Sequence, residues 1–452
     1  MKKQKWQFWV LGCCTYLLSS CLGTNDKYDP WYDSNCLISS FQLLSDSVPG
    51  LENVKFTIDQ VNGLIYNADS MPYGTEIRWK VVCQVNFEAF PSSVEVFQSA
   101  TGDSASWNQK DSLDFSSYVR FDVFSQDQKN FKRYFAQINI HQQVPDSMKW
   151  QWFSNRLLGK TVQEQKVIAY DRYYLMYAKT ANGYELYRTP QNDKRTWIPV
   201  PLSGFGSKTF NLNQLTEFKG AYYVPATDGS LYSSANGQNW TQLAQTPVVK
   251  TLLGVIDSSS VVNTQPLLAA VIQEDNAYYF ATMGIDYQWK KGVAVPAGFP
   301  VTGFGNATYK TAFYWHLLIA TGKDRYGNLR NTVWETMDGL KWVQSTDERF
   351  TIIEKREGVM LTSYDNKLFL IGGINASNTA AKDIYYSNDR GITWALADSM
   401  LYLPGTYRPR GYASVIVDQD NFLHLFGGKE NNSANHLDEL WSGRINRLGF
   451  KP

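Results

Sequence analysis

The 452 residues predict an all-β protein, an N-terminal β-sandwich followed by a six-bladed β-propeller. Three observations carry this prediction. Aromatics are abundant (15 Trp, 28 Tyr, 24 Phe) and Gly punctuates short apolar runs, a composition that suits strands. Between residues 34 and 145 the runs alternate apolar and polar with a period of two, as half-buried strands do. From about residue 150 the texture changes: Trp197, Trp240, Trp289, Trp342 and Trp394 recur at intervals of 43, 49, 53 and 52 residues. That spacing is the span of a four-stranded propeller blade.

In chain order, Lys2, Lys3 and Lys5 form a positive leader and a largely apolar stretch follows to Leu18. The segment is short and ends at small residues, so it reads as a secretory signal over 1–20. Leu18-Ser19-Ser20-Cys21 resembles a bacterial lipobox. The resemblance implies that Cys21 is lipidated and becomes the mature N-terminus, with residues 21–33 as a polar tether. Acyl chains would hold the body at a membrane at about 0.8 kcal/mol per buried methylene. No later stretch is apolar enough to span a bilayer. The expectation is export and anchoring to the outer membrane. The side is left open, because only Asp26 precedes Lys27 in the tether.

Period-two runs such as "CLISSFQLL", "EIRWKVVCQVNF" and "SVEVFQS" then build the sandwich, and "VRFDVFSQDQKNFKRYFAQINIH" reads as a hairpin within it. The pattern resembles small Ig-like domains of Bacteroidetes lipoproteins. With Cys13 and Cys14 in the leader and Cys21 lipidated, Cys36 and Cys83 remain, and a bridge or two buried thiols are both open.

Over 150–452 each Trp closes a related cassette: "LYRTPQNDKRTW", "LYSSANGQNW", "YFATMGIDYQW", "VWETMDGLKW" and "IYYSNDRGITW". Each is a strand, a turn and a strand opening at Trp. Gly237, Gly339 and Gly391 sit three residues before Trp, with Lys194 and Asp286 there in the other two. Glycine permits a left-handed turn position, and Asp or Asn bonds back to turn amides. The last cassette, with Asp389, Gly391 and Trp394, is a full Asp-box, Ser-x-Asp-x-Gly-x-Thr-Trp, and resembles those of sialidase-type propellers. "LFLIGG" and "LHLFGG" resemble the second strand of kelch repeats, and "RPRGYASVIV" the strand before it. A degenerate last copy, "ELWSGRINRLGF", puts Phe450 near the Trp slot, which makes six blades. Seven would need a further blade using strands near "MKWQWF", residues 148–153.

Chemistry is less legible. A net charge of +1 gives no electrostatic case for nucleic acid. A sialidase needs an ordered arginine triad, and the nearest motif, Tyr187-Arg188-Thr189-Pro190, lies on the first cassette rather than an inner strand. Asp324, Glu335, Asp347, Glu348, Glu354 and Glu357 could supply a carboxylate pair for glycoside hydrolysis, but no spacing marks two of them. His141, His316, His424 and His436 lack metal-ligand spacing, and His424 reads as a packed core histidine. No cofactor or metal is expected.

The Asp-box turns belong to the propeller face opposite the usual ligand face. Loops after second strands, residues 321–331, 373–383 and 428–438, together with two connections between blades, define the ligand face. They offer Arg325, Tyr326, Arg330, Arg356, Asn378, Tyr407, Arg408, Lys429 and Asn431. The first functional expectation is a non-catalytic binding or interaction protein using this face for a glycan or an envelope protein. The alternative is a glycan-active hydrolase or lyase on the same face. A structural envelope component docking through its sandwich is a third.

Overall fold

The structure is a computed structural model that describes residues 32–77, 81–154, 156–259 and 262–446. The signal segment, the lipidation position Cys21 and Phe450 lie outside the described residues. Among the described residues there is no α-helix, and no helix long and apolar enough to cross a membrane. The chain divides into two compact units, Met1–Pro145 and Asp146–Pro452.

The first unit holds two sheets. One has three strands, Ile38–Leu44, Val81–Phe87 and Ser112–Leu113. The other has six, in the order Phe56–Asp59, Leu64–Asn67, Phe131–Gln137, Val119–Phe124, Ser93–Gln98 and Asp103–Ser106. Val81–Phe87 shows the reason for the alternating sequence: Val81, Cys83 and Val85 are buried while Gln84 and Asn86 are exposed. The inward residues of both sheets, among them Phe41, Val94 and Phe121, form one apolar core. The pair Val119–Phe124 and Phe131–Gln137 is a hairpin in which Phe124 opposes Phe131. One feature escapes a strand-by-strand reading: Leu64–Asn67 runs parallel to Phe131–Gln137. Cys36 and Cys83 are both free thiols. Burial among apolar neighbours pushes the Cys83 thiol well above its ordinary value, so it behaves as a small core hydrophobe.

The second unit is a β-propeller built of six four-stranded antiparallel sheets among the described residues. The first sheet comprises Glu164–Tyr170, Tyr173–Thr180, Gly183–Pro190 and Ile198–Val200. The second comprises Thr216–Phe218, Ala221–Pro225, Leu231–Ser234 and Thr241–Gln242. Val248–Ile256, Leu267–Glu274, Ala277–Met283 and Trp289–Ala294 form the third. Gly305–Lys310, Trp315–Lys323, Leu329–Thr336 and Val343–Gln344 form the fourth. The fifth has Met360–Tyr364, Lys367–Ile371, Ile384–Ser387 and Ala395–Leu396. Second strands are apolar without alternation because both of their faces are covered: Leu268 to Ile272 are all buried.

The sixth sheet closes the ring with strands from both ends of the unit. Ser414–Val417, Leu423–Phe426 and Leu440–Ile445 are joined by Met148–Ser154, whose Trp152 opposes Trp441. The stretch near "MKWQWF" therefore founds no additional sheet; it completes this one. Backbone pairing satisfies what would otherwise be an open sheet edge, and it ties the two ends of the unit together.

The five Trp cassettes share one packing role. Each Trp packs with side chains of its own sheet and of the preceding one. Trp394 belongs to one apolar cluster with Leu318 and Val333 of the fourth sheet and Leu368 and Tyr385 of its own. Trp240 packs against Tyr177 of the first sheet, ring centroids 6.0 Å apart, and Trp342 against Phe280 of the third at 5.8 Å. Trp197 packs with Phe426 and Leu440 of the sixth sheet, and Trp289 with Phe218 and Leu231 of the second.

The Asp-box turn is held locally. The Ser387 hydroxyl donates to Asp389 Oδ1 (2.8 Å), and the Thr393 amide donates to the same oxygen (2.8 Å). The Gly391 amide donates to Ser387 Oγ (2.7 Å), and Trp394 Nε1 donates to the Gly391 carbonyl (3.0 Å). Gly391 has φ 90, and a Cβ there would lie 2.6 Å from Leu318 Cδ1. The glycine thus serves both the turn and the close approach of the neighbouring sheet. Where the motif lacks it, other residues take the left-handed position: Lys194 at φ 62 and Tyr287, one place after Asp286, at φ 63.

Candidate functional site

First strands from all six sheets surround a central cavity of about 750 Å³. Its wall is mixed: Leu252, Met360 and Leu361 supply apolar surface, while Glu164, Lys166 and Tyr412 supply polar groups. Concave, partly apolar spaces with a few convergent polar groups are where ligands bind.

Tyr412 is the most constrained of these groups. It precedes the inner strand of the sixth sheet and has φ 60, the left-handed region, without being glycine. Such backbone costs on the order of 1–3 kcal/mol and persists only where the surroundings enforce it. Here they do. The Tyr412 amide donates to the Gly358 carbonyl (2.6 Å), and the Gly358 amide donates to the Gly303 carbonyl (2.6 Å). Gly358, at φ +67, lies under the tyrosine ring so closely that a Cβ would sit 2.4 Å from Tyr412 Cδ2.

The Tyr412 hydroxyl donates to Glu357 Oε2 (2.7 Å). Glu357 also accepts from Lys323 Nζ (2.7 Å) and from Asn432 Nδ2 (2.7 Å). These three partners come from the fourth sheet, the start of the sixth and the long loop after Leu423–Phe426, while Glu357 lies in the connection into the fifth. Burial would raise the Glu357 carboxyl, but the donors Lys323, Tyr412 and Asn432 outweigh it and hold it below the usual carboxylate range. Burial first, and then the bond to Glu357, pushes the Tyr412 hydroxyl up. Lys429 lies over the Tyr412 ring at 4.8 Å from its centroid, and its ammonium donates to the Asn432 carbonyl at 3.3 Å. Burial lowers the Lys429 pKa against the opposing pull of Glu357 and Glu164. Glu164, at the start of the first sheet's inner strand, is raised by burial.

The arrangement can donate a hydrogen bond at Lys429, accept one at the Tyr412 oxygen, and offer the Glu164 carboxyl. Polyhydroxylated ligands need that mixture. Glu357 accepts from three donors, Lys323 and Asn432 on Oε1 and Tyr412 on Oε2, which fix its carboxylate in place.

The nine residues of the sequence-derived ligand face divide. Asn378, Lys429 and Asn431 lie on the two long loops beside Glu357: Asn378 Oδ1 accepts from the Asn432 amide (2.8 Å), and Asn431 Oδ1 from the Ser433 amide (3.0 Å). Arg408 is half-exposed, 3.7 Å from Glu430. Arg325 and Tyr326 are exposed together on the fourth-sheet loop, the guanidinium 4.9 Å from the ring centroid. Arg330 braces that loop through Asp324 Oδ2 (2.6 Å) and Glu348 Oε1 (3.0 Å).

Two of the nine are not surface groups. Arg356 is only 2% exposed, and it donates to both oxygens of Asp383, to Glu354 and to the Gly372 carbonyl. A buried guanidinium must be paired, and this one spends its donors holding the loop 372–383 onto its sheet. Tyr407 is likewise 2% exposed, packed edge-on to Trp441 and under the Arg410 guanidinium. Aromatic and basic residues in a loop-rich stretch look solvent-facing in sequence, but this connection folds inward over the sixth sheet.

Of the six carboxylates considered for a catalytic pair, only Glu357 adjoins the cavity. Asp324 is bound to Arg330, Asp347 to Arg349, Glu348 to Arg330 and Lys355, and Glu354 to Arg356, while Glu335 meets Tyr309 and His316. His424 is fully buried between Ser442 Oγ (2.6 Å) and Asp418 Oδ2 (2.8 Å). Sequence reasoning missed Lys323, Tyr412, Asn432, Glu164 and Lys166. Tyr412 had a signal, an aromatic after Gly411 at the head of an inner strand; the others had none.

Comparison with known proteins gives a family without an assigned activity. A family model described as the DUF6242 beta propeller domain matches residues 144–452. Another, described as the N-terminal domain of the domain of unknown function DUF6242, matches residues 33–138. A solved structure, that of YjhT, is similar at 13% identity and a TM-score of 0.45, over 62% of this chain and 95% of that chain. No curated protein matches. With both units matched, the chain belongs to the DUF6242 family.

Proposed function

We propose that this chain is an exported, lipid-anchored binding protein. An Ig-like N-terminal sandwich carries a six-bladed kelch/Asp-box-type propeller, and a glycan seats at the Tyr412 mouth of the central cavity. The observation that carries the reading is Tyr412 itself, held in left-handed backbone and bonded to a carboxylate that three elements converge to fix. Strain of this kind concentrates at ligand sites. The lipid anchor rests on the Leu18-Ser19-Ser20-Cys21 pattern. Incorporation of a tagged fatty acid that vanishes in Cys21→Ser supports it, and undiminished incorporation removes it.

The binding test is a glycan array on the mature protein, followed by calorimetry on the hits. Tyr412→Phe keeps the ring and removes one ligand-facing oxygen, so affinity should fall about tenfold, or about 1.4 kcal/mol. Wild-type affinity in Tyr412→Phe would place the ligand elsewhere.

One observation favours the catalytic alternative, a glycan-active hydrolase or lyase. Burial raises Glu164 while its donors hold Glu357 down, and carboxyls pushed apart in this way suit acid and base roles. Turnover of an array hit, abolished in Glu164→Gln, would replace the binding reading with this one.

A further inference from the structure

Lys166 is an ammonium without a counter-ion inside the cavity. It lies two residues after Glu164 on the same inner strand, Glu164–Tyr170, so both side chains face the same way, into the cavity. Among the described residues its ammonium donates to the Asn213 carbonyl at 3.3 Å. Among the described residues no carboxylate oxygen comes within ion-pair distance of it. Glu164 is held by the next residue back on the same turn, with its Oε1 accepting from the Leu212 amide at 3.0 Å. Amine and carboxyl are therefore tethered to consecutive residues of one turn, Leu212–Gln214, at the cavity wall.

A lysine partly withdrawn from water with no anion beside it loses what holds its proton. The side chain is half-buried and lines the cavity, and burial pushes its ammonium down to about 8. At pH 7.5 roughly a quarter of such an amine is neutral, against about one in a thousand for an ordinary lysine. A partly neutral amine and a carboxyl whose hold on its proton burial strengthens, two residues apart on one strand and both facing the cavity, make the pairing that carbonyl capture needs.

We propose that Lys166 is a covalent capture site for a small aldehyde or ketone, such as the open-chain form of a reducing sugar, with Glu164 as its proton donor. The Lys166 nitrogen adds to the carbonyl carbon, and a proton passes from nitrogen to oxygen to give a carbinolamine. Glu164 then protonates the hydroxyl, which leaves as water while the nitrogen lone pair forms the C=N bond. The iminium returns its proton to the Glu164 carboxylate. One water is released, the carboxyl is regenerated and no oxidant or reductant is consumed. The proposal goes beyond the binding reading and uses the deeper wall of the same cavity.

The test is reductive trapping on the folded mature chain. D-glyceraldehyde and sodium cyanoborohydride are added at pH 7.5, and the rate of modification at each lysine is mapped by mass spectrometry. Lys166 should be modified at least tenfold faster than the exposed Lys290 and Lys341, and the preference should vanish in urea. Glu164→Gln should slow trapping at Lys166 several-fold while leaving Lys290 unchanged. Modification of Lys166 in the wild-type chain no faster than at Lys290 overturns the proposal, and that comparison needs no variant to fold. Because the readout is a mass increment, fast trapping in a chain that binds no glycan would uphold this inference while removing the binding reading.

Discussion

Gly391→Ala is expected to destabilise the propeller unit by about 2–5 kcal/mol, from two separable causes. An L-residue at φ 90 pays for the clash between its Cβ and the backbone, about 1–2 kcal/mol. The added methyl also falls 2.6 Å from Leu318 Cδ1, with Val333 Cγ1 and Leu368 Cδ1 close behind at 3.5 and 3.6 Å. These are packed core side chains of two adjoining sheets, so relief requires a shift between sheets, and overpacking of this kind costs about 1–3 kcal/mol. Gly405→Ala is the internal control: no atom lies within 4 Å of its Cβ position, and its change should stay within about 0.5 kcal/mol. Urea denaturation followed by Trp fluorescence measures both. Equal midpoints for the two variants would mean that the cassette turn does not set the spacing between sheets.

The second large effect is expected at Arg410. Its side chain is fully buried. It donates to Glu439, to the Gly427 carbonyl (2.9 Å) and to the Arg408 carbonyl (2.9 Å), and it stacks 4.2 Å from the Tyr407 ring centroid. Arg410→Ala strands a mostly buried carboxylate and two carbonyls at once, and removing one partner of a buried pair costs about 3–5 kcal/mol. Arg410→Lys should recover only part of this, since an ammonium cannot fork to three acceptors in one plane. The same denaturation series reads both, and a loss below about 1 kcal/mol in Arg410→Ala would show that Glu439 finds water or another donor. Arg410 and Arg356 play parallel parts, each pinning a long loop onto its sheet by a carboxylate and a glycine carbonyl.

The legibility of the candidate site follows the range of the interactions that build it. Asn378, Lys429 and Asn431 could be placed near a mouth because each sits in a loop that leaves a recognisable second strand. Glu357 appeared among six loop carboxylates with nothing to set it apart, because what distinguishes it is its three donors. Those donors, Lys323, Tyr412 and Asn432, are 34, 55 and 75 residues away. Arg356 and Tyr407 were misplaced for the same reason in reverse. Composition made their segments look exposed, and only the partners Asp383 and Trp441 show that they fold inward.

By itself the sequence determined the all-β character, the change of texture near residue 150 and the repeating hairpin cassette of the propeller. Those features are local: strand alternation, a glycine that permits one turn conformation, and a Trp three residues later depend on neighbours in the chain. Only the tertiary structure decided how the unit closes and where its chemistry gathers. Met148–Ser154 pairs with Leu440–Ile445 across nearly the whole unit. Among the described residues Lys166 has no carboxylate at ion-pair distance, and the turn at Leu212–Gln214 meets it with a carbonyl. A cavity at the centre of a ring of sheets has no sequence signature of its own, because each sheet contributes one strand to it and the strands meet only when the ring shuts.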